Sequence, residues 1–148
     1  MNYIVYALIG FPLIGAIFAI TRMLPAKRLT DSNINLKSDA DGSVIKARFY
    51  IVCAAVLANV IYGVLEFALI WQRYGMTPPE NLKYPCIVGF LCNTAACILM
   101  GIIGEREIEK GMLNSVEIFS KGLIKMCIAE VIALLGLMYF FVSMTGLL

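Results

Sequence analysis

One carboxylate stands alone in the last apolar stretch of this chain. Glu130 is the single charged residue between Met126 and Leu148. As a helix rising ~1.5 Å per residue, that stretch is longer than the ~30 Å hydrocarbon core of a bilayer. An ionised, unpaired carboxylate at such a depth costs ~2.5–3.5 kcal/mol on insertion scales. We therefore predict that Glu130 is functional, with proton or ion transport as the leading class. The alternative is a Glu that burial keeps neutral, or one that bonds a neighbouring helix for packing only.

The remaining chemistry-bearing residues form no recognisable catalytic or metal-binding pattern. The chain has no His, so proton chemistry falls on carboxylates. No phosphate-binding glycine motif is present, and the net charge of +2 is too small to indicate nucleic acid binding. We predict no cofactor and no metal, and interpret the cysteines as packing residues without metal-ligand spacing: Cys53, Cys86, Cys92, Cys97 and Cys127.

Two further charged residues lie in or beside apolar stretches. Glu66 precedes Trp71 and Arg73 near the end of the second stretch, so we expect it to reach water or Arg73 and to be structural. Lys125 lies about 140° around a helix from Glu130, so the two need not pair. We expect Lys125 to extend toward the lipid headgroups.

The elements that carry these residues are predicted to be membrane helices. Hydrophobic residues make up 61% of the 148-residue chain and charged residues 15%, against about 25% charged in ordinary soluble domains. Four apolar stretches, at 3–21, 49–71, 86–104 and 122–146, predict one all-α domain of two transmembrane hairpins. Because no positive charge precedes the first stretch, we interpret it as a helix and not as a cleaved signal peptide.

The connections between these stretches predict an orientation. We expect residues 22–48 and 105–121 to be solvated loops, whereas Pro78-Pro79 predicts a short turn within 72–85. The first and third connections are richer in Lys and Arg than the second. The positive-inside rule therefore makes them cytoplasmic and puts both termini on the opposite side. Ser38 and Gly111 should be cytoplasmic and Thr77 should not.

The third stretch carries a face of mostly small residues: Gly89, Asn93, Cys97 and Gly101. Such a face allows helix backbones to approach closely, so we expect it to lie against a neighbouring helix, including helices of other copies. A Gly101→Leu change should then block assembly. A faint repeat also appears when the chain is offset by 73 residues, which aligns Tyr62-Gly63 with Leu135-Gly136 and Leu57 with Glu130.

Several of these segments together resemble the V-type ATPase proteolipid, subunit c. The last helix resembles that of the family through Phe119, Ala129-Glu130-Val131 and Gly136-Leu137. Weaker similarities are Met100 to Glu105, followed by Gly111, and Ile61-Tyr62-Gly63-Val64. The first forty-five residues add almost nothing to the resemblance.

The resemblance implies a rotor ring in which Glu130 is the catalytic proton carrier and other subunits hydrolyse ATP. It also implies a set of partners: copies of this chain, sister proteolipids, a stator subunit with an essential Arg, central-stalk subunits at the cytoplasmic loops, and lipid. A vacuolar or other endomembrane location would follow. A proton that crosses a potential of ~100 mV costs ~2.3 kcal/mol. One carrier per four helices means fewer protons per turn and therefore more ATP energy for each proton, which favours a pump.

Two alternatives come from other functional classes. One is a non-transporting four-helix membrane scaffold in which Glu130 only bonds a partner helix. The other is a small membrane-embedded transferase of the microsomal glutathione-transferase kind, which would need clustered basic residues near a cytoplasmic substrate site. The charges are spread through the connections, so this alternative ranks last. The size of the oligomer would distinguish the three functions. A rotor subunit should form a large closed ring, a scaffold a monomer or dimer, and a transferase a trimer.

Overall fold

Four long helices account for nearly all of the structure. The computed structural model describes residues 2–34, 39–75 and 78–145. The helices are α1 (Asn2–Ile34), α2 (Asp39–Tyr74), α3 (Lys83–Glu109) and α4 (Val116–Thr145), with a short 3₁₀ turn, Glu80–Leu82, before α3. No strand occurs in the described ranges. Each helix contains a stretch long and apolar enough to cross a membrane, so the predicted all-helical class with four candidate spans is confirmed.

The helices extend well beyond the apolar stretches. α1 continues past residue 21 to Ile34, and α2 begins at Asp39, so most of 22–48 is helical. α3 likewise continues to Glu109 and α4 begins at Val116. The predicted solvated loops at 22–48 and 105–121 are therefore wrong over most of their length. Ala, Lys, Arg and Glu favour helices, and helical backbone bonds need no partner outside the helix.

The connection between α2 and α3 follows the prediction. Gly75 has a φ of 61° and donates its N–H to the carbonyl of Trp71, at 3.0 Å. Glycine adopts this left-handed conformation without steric penalty, which ends α2. Pro78 and Pro79 follow before the 3₁₀ turn, while Ser38 and Thr77 lie outside the described residues.

Cross-helix contacts define an up-down-up-down arrangement. Residues early in α1 lie against residues late in α2, as at Leu8 and Gly63, so these helices are antiparallel. α1 and α3 are parallel, since Gly15 lies near Cys97 and Ala19 lies near Gly101. α2 and α4 are also parallel, because Tyr62 contacts Glu130 near the middle of both helices and Arg73 contacts Met144 near their ends. The first and third connections therefore share one end of the bundle.

The small-residue face of α3 packs closely, but within the chain itself. A Cβ on Gly101 would lie 2.5 Å from Cα of Ala19, and one on Gly15 would lie 3.1 Å from Cβ of Cys97. Gly89 and Asn93, at the other end of this face, meet Glu66 of α2. The predicted close approach is confirmed, and α1 and α2 of the same chain supply the neighbours.

Two apolar clusters lie toward the two ends of the bundle. One contains Met23, Phe49, Val52, Met100 and Met126 among others. The second contains Val5, Leu8, Ile70, Leu82 and Phe140 among others. Along α2 and α3 the buried polar residues Asn59, Glu66 and Asn93 fall between the two clusters, whereas a fourth, Glu107, lies at the end of α3. The middle of the bundle therefore holds three of the four buried polar side chains of the described residues.

Candidate functional site

Glu130 lies at the border between the packed and the exposed faces of α4. Inward-facing residues of α4 are small or apolar and buried: Met126, Ala129, Ala133, Gly136 and Phe140. Outward-facing residues are large and exposed: Ile128, Val131, Leu134, Leu135 and Met138. Glu130 itself is half-buried. Its carboxyl is thus held by the bundle on one side and accessible from outside the chain on the other.

Tyr62 of α2 is the hydrogen-bond partner of Glu130. Its phenolic hydroxyl donates to Oε1 of Glu130 over 2.7 Å. A phenol can also accept a hydrogen bond from a protonated carboxyl, so the same contact serves both protonation states of Glu130. Sequence reasoning used Tyr62 only as part of a weak motif. The parallel packing of α2 and α4 brings together residues 68 apart in sequence, a separation that no local pattern reveals.

Lys125 does not pair with Glu130. Its Nζ lies 2.6 Å from Oε1 of Glu107, near the end of α3. Lys110 lies 3.4 Å from the same oxygen. The sequence argument that Lys125 and Glu130 need not pair agrees with these contacts, and the extension of Lys125 toward lipid headgroups stays a prediction. The assignment of Glu107 to a solvated loop is wrong, because its side chain is only 7% exposed and is covered by these two lysines.

Glu66 lies inside the bundle, contrary to expectation. It is fully buried, and its Oε2 accepts a hydrogen bond of 3.2 Å from Nδ2 of Asn93 on α3. Arg73 instead donates to the carbonyl of Met144, at 2.7 Å. The prediction that Glu66 reaches water or Arg73 is wrong. Glu66 lies on the same face of α2 as the buried Gly63 and Ile70, three residues before and four after it, and that face points inward.

Gly89 makes room for this buried carboxyl. A Cβ at Gly89 would lie 2.6 Å from Oε2 and 2.8 Å from Oε1 of Glu66. Both distances are shorter than a van der Waals contact, so any larger residue would displace the carboxyl. The close approach of α2 and α3 at this level depends on the missing side chain.

A third buried polar side chain, Asn59, lies nearer the other end of α2. Its Nδ2 is 3.3 Å from Sδ of Met100 and 3.4 Å from the carbonyl of Val56. Three buried oxygens in the described structure lack a hydrogen-bond partner: Asn59 Oδ1, Glu66 Oε1 and Asn93 Oδ1. Two of the three belong to the hydrogen-bonded pair of Glu66 and Asn93.

The cysteines are free thiols and do not converge. Cys86 and Cys97 are buried, as expected for packing residues, whereas Cys127 is exposed. Over the described ranges, no three His, Cys, Asp or Glu side chains come together in a way that could hold a metal ion.

Basic residues do gather at the connecting end of α3 and α4. A groove of about 420 Å³ is lined by three lysines, one carboxylate and two apolar side chains: Lys110, Lys121, Lys125, Glu107, Ile118 and Ile124. All three lysines are already in ion pairs, two with Glu107 and one with Glu117. The expectation that basic charge is merely scattered is wrong here, although the groove offers little uncompensated positive charge.

Comparison of the sequence with protein-family models and with curated proteins found no match.

Proposed function

We propose that this chain is a proton-translocating subunit of the rotor ring of a V-type ATPase, with Glu130 as the proton carrier. The observation that carries the proposal is the position of Glu130. Its carboxyl is half-buried at the border of the packed face of α4, in an apolar stretch, with a hydroxyl partner from the parallel helix α2. A transported proton needs a carboxyl that is held yet accessible from outside the subunit.

Protonation decides where such a carboxyl can reside. The neutral acid can face lipid or another helix at little cost, whereas the carboxylate needs water or a cation. The Tyr62 hydroxyl stabilises the carboxylate by donating to it and the acid by accepting from it. Release would occur where a stator Arg and a water path favour the ionised form. Rotation past that place would carry one proton per subunit per turn.

The exposed apolar surface of the helices agrees with assembly into a ring within lipid. In the most apolar 18-residue segment of each helix, fewer than half of the residues are buried within the chain. The buried shares are 33% in α1, 28% in α2, 39% in α3 and 28% in α4. Lipid or neighbouring copies must cover the rest if the chain lies in a membrane. α3, with the highest buried share, is the central packing element of the subunit.

The proposal includes the wider assignments that the resemblance implies. ATP hydrolysis would occur on other subunits, and central-stalk subunits would dock at residues 22–48 and 105–121 on the cytoplasmic side. A vacuolar or other endomembrane location would follow from this assignment. The proposal is supported by the helix ends that flank these connections: the end of α1 and the start of α2 share one end of the bundle with the end of α3 and the start of α4.

A membrane-embedded transferase is the alternative that one observation favours. The three-lysine groove between α3 and α4 is a possible site for an anionic substrate. Its lysines are paired with Glu107 and Glu117, so an anion would have to displace existing ion pairs. Transport therefore stays the preferred function, and a scaffold function would leave the border position of Glu130 without a purpose.

The proposal is tested by replacing Glu130 with Gln in the assembled complex. Glu130→Gln keeps the shape of the side chain and its contact with Tyr62 but cannot release a proton. We expect ATP-driven acidification of vesicles to stop while native mass spectrometry still shows a large ring. Glu66→Gln, also a carboxyl-to-amide change in the membrane region, is the matched control and should retain acidification. Normal pumping by Glu130→Gln, or a trimer in place of a ring, would contradict the proposal.

A further inference from the structure

Glu66 and Asn93 form an isolated polar pair within the apolar bundle. Both side chains are fully buried, and Asn93 Nδ2 donates to Glu66 Oε2 over 3.2 Å. The second carboxyl oxygen, Glu66 Oε1, and the amide oxygen, Asn93 Oδ1, have no hydrogen-bond partner. Buried polar atoms of folded proteins are nearly always hydrogen-bonded, so two unpartnered oxygens in one hydrogen-bonded pair of side chains require an explanation.

The two orphan atoms lack the same thing, which is a donor. An ionised Glu66 only accepts hydrogen bonds, and the amide oxygen of Asn93 only accepts them as well. A protonated Glu66 has an O–H that can donate to the amide oxygen. One proton therefore supplies the single donor that the pair lacks, and each residue then donates one hydrogen bond and accepts one.

The surroundings favour this neutral form. No ion pair involves Glu66 among the described residues, and Arg73, the nearest cation along α2, is engaged with Met144. The thiol of Cys86 on α3 faces the same interior and is buried. On the α3 side, Gly89 brings backbone directly against the carboxyl. A buried carboxylate without a cation or a full set of donors is strongly disfavoured.

We propose that Glu66 is a second proton-binding site, in which the protonated acid and Asn93 form a reciprocal pair that joins α2 to α3. The ligand is a proton that is retained within the subunit. Glu130 differs because it is half-buried at the border of the packed face of α4 and its carboxyl accepts a hydrogen bond from a hydroxyl. This assignment holds whether or not Glu130 transports protons.

Infrared spectroscopy of the full-length protein in lipid tests the proposal at neutral pH. In a Glu130→Gln background, Glu66 is the remaining buried carboxyl without an ion pair among the described residues, since Glu107 is paired with Lys110 and Lys125. We expect the C=O stretching band of a protonated carboxylic acid to be present there and to be lost when Glu66→Gln is added. The Gln side chain reproduces the acid–amide pattern, with its NH₂ donating to Asn93, so the double variant should keep its melting temperature.

An Asn93→Leu variant in the same background makes the test independent of Glu66→Gln folding. Removing the partner amide should move the carboxylic acid band to higher frequency, because the acid loses its hydrogen bonds. Absence of the band in the Glu130→Gln protein, or a band unchanged by Asn93→Leu, would overturn the proposal. A carboxylate band that responds to sodium but not to potassium would overturn it in favour of a cation site. Loss of folding in Glu66→Gln would also count against it, since that variant mimics the protonated form.

Discussion

Glu66 and Glu130 occupy opposite environments, although the sequence places both in similar apolar stretches. Glu66 is enclosed between α2 and α3, with an amide as its partner. Glu130 lies at the border of α4, with a phenol as its partner and an exposed apolar surface beside it. Tyr62, the partner of Glu130, is only one helical turn before Glu66 on α2. One face of α2 thus supports both sites, with Tyr62 bonded to α4 and Glu66 bonded to α3.

The two carboxyls differ mainly in their exposure at the surface of the chain, since Glu66 is fully buried and Glu130 is half-buried. Their positions along the helices distinguish them less. Glu66 is fully buried, and apolar clusters lie on either side of it along the bundle. A proton on Glu130 has one face open to whatever surrounds the subunit. Enclosure suits a proton that stabilises structure, and a border position suits a proton that moves.

The largest expected difference between the sites comes from reversing the charge. Glu66→Lys places an amine at a fully buried position that has no ion-pair partner among the described residues, so it should destabilise the protein by more than about 3 kcal/mol and prevent recovery of folded protein. Glu130→Lys should still fold, because a Lys at the border can extend along the helix surface toward water. Size-exclusion chromatography of the detergent-extracted variants measures both. Equal recovery of the two would mean that Glu66 is less enclosed than the structure shows.

A smaller effect is expected from filling the space beside Glu66. Gly89→Ala puts a methyl group 2.6 Å from Oε2 of Glu66, and overpacking of this kind costs about 1–3 kcal/mol. Gly10→Ala is the matched control, since a Cβ there meets nothing within 4 Å. We expect a lower melting temperature for Gly89→Ala and an unchanged or slightly higher one for Gly10→Ala. A Gly89→Ala protein as stable as Gly10→Ala would mean that the carboxyl can move aside.

The smallest effect is expected at the partner of Glu130. Tyr62→Phe removes one hydroxyl and should cost only about 0.5–1.5 kcal/mol of stability. The readout that separates the two carboxyls is modification by a carboxyl-directed carbodiimide, followed by peptide mass spectrometry. We expect label on Glu130 and none on Glu66, with a labelling rate at Glu130 that changes in Tyr62→Phe. Tyr139→Phe is the control, since Tyr139 is a partly exposed tyrosine on α4 itself. It should leave the labelling rate at Glu130 unchanged.

The internal repeat gains a structural counterpart in two glycines. Gly63 of α2 lies directly against the backbone of α1 at Leu8. A Cβ placed on Gly136 of α4 would lie 2.5 Å from Cβ of Cys92 on α3. Each hairpin thus has one close approach at the residue that the 73-residue offset aligns. The residue aligned with Glu130 is Leu57, which is exposed on α2. The two hairpins therefore share a packing site but not a carboxylate.

The apolar stretches by themselves determined the number of helices, their alternating direction and the isolation of Glu130 in the last one. Length and hydropathy suffice to predict these features. A membrane-spanning helix satisfies its own backbone hydrogen bonds, so its presence depends on the length and composition of the local sequence. The small face of α3 was also readable, since its spacing is local. Helix ends were not, because the charged residues of 22–48 and 105–121 are compatible with both loop and helix.

Only the tertiary structure decided which side chains meet. The enclosure of Glu66, its bond with Asn93, the pairing of Glu107 with Lys125 and the Tyr62 hydroxyl on Glu130 all depend on how each helix is rotated toward its neighbours. With four helices that are apolar on every side, no hydrophobic stripe in the sequence specifies that rotation. Close contacts at glycines specify it instead, through packing between residues far apart in the chain.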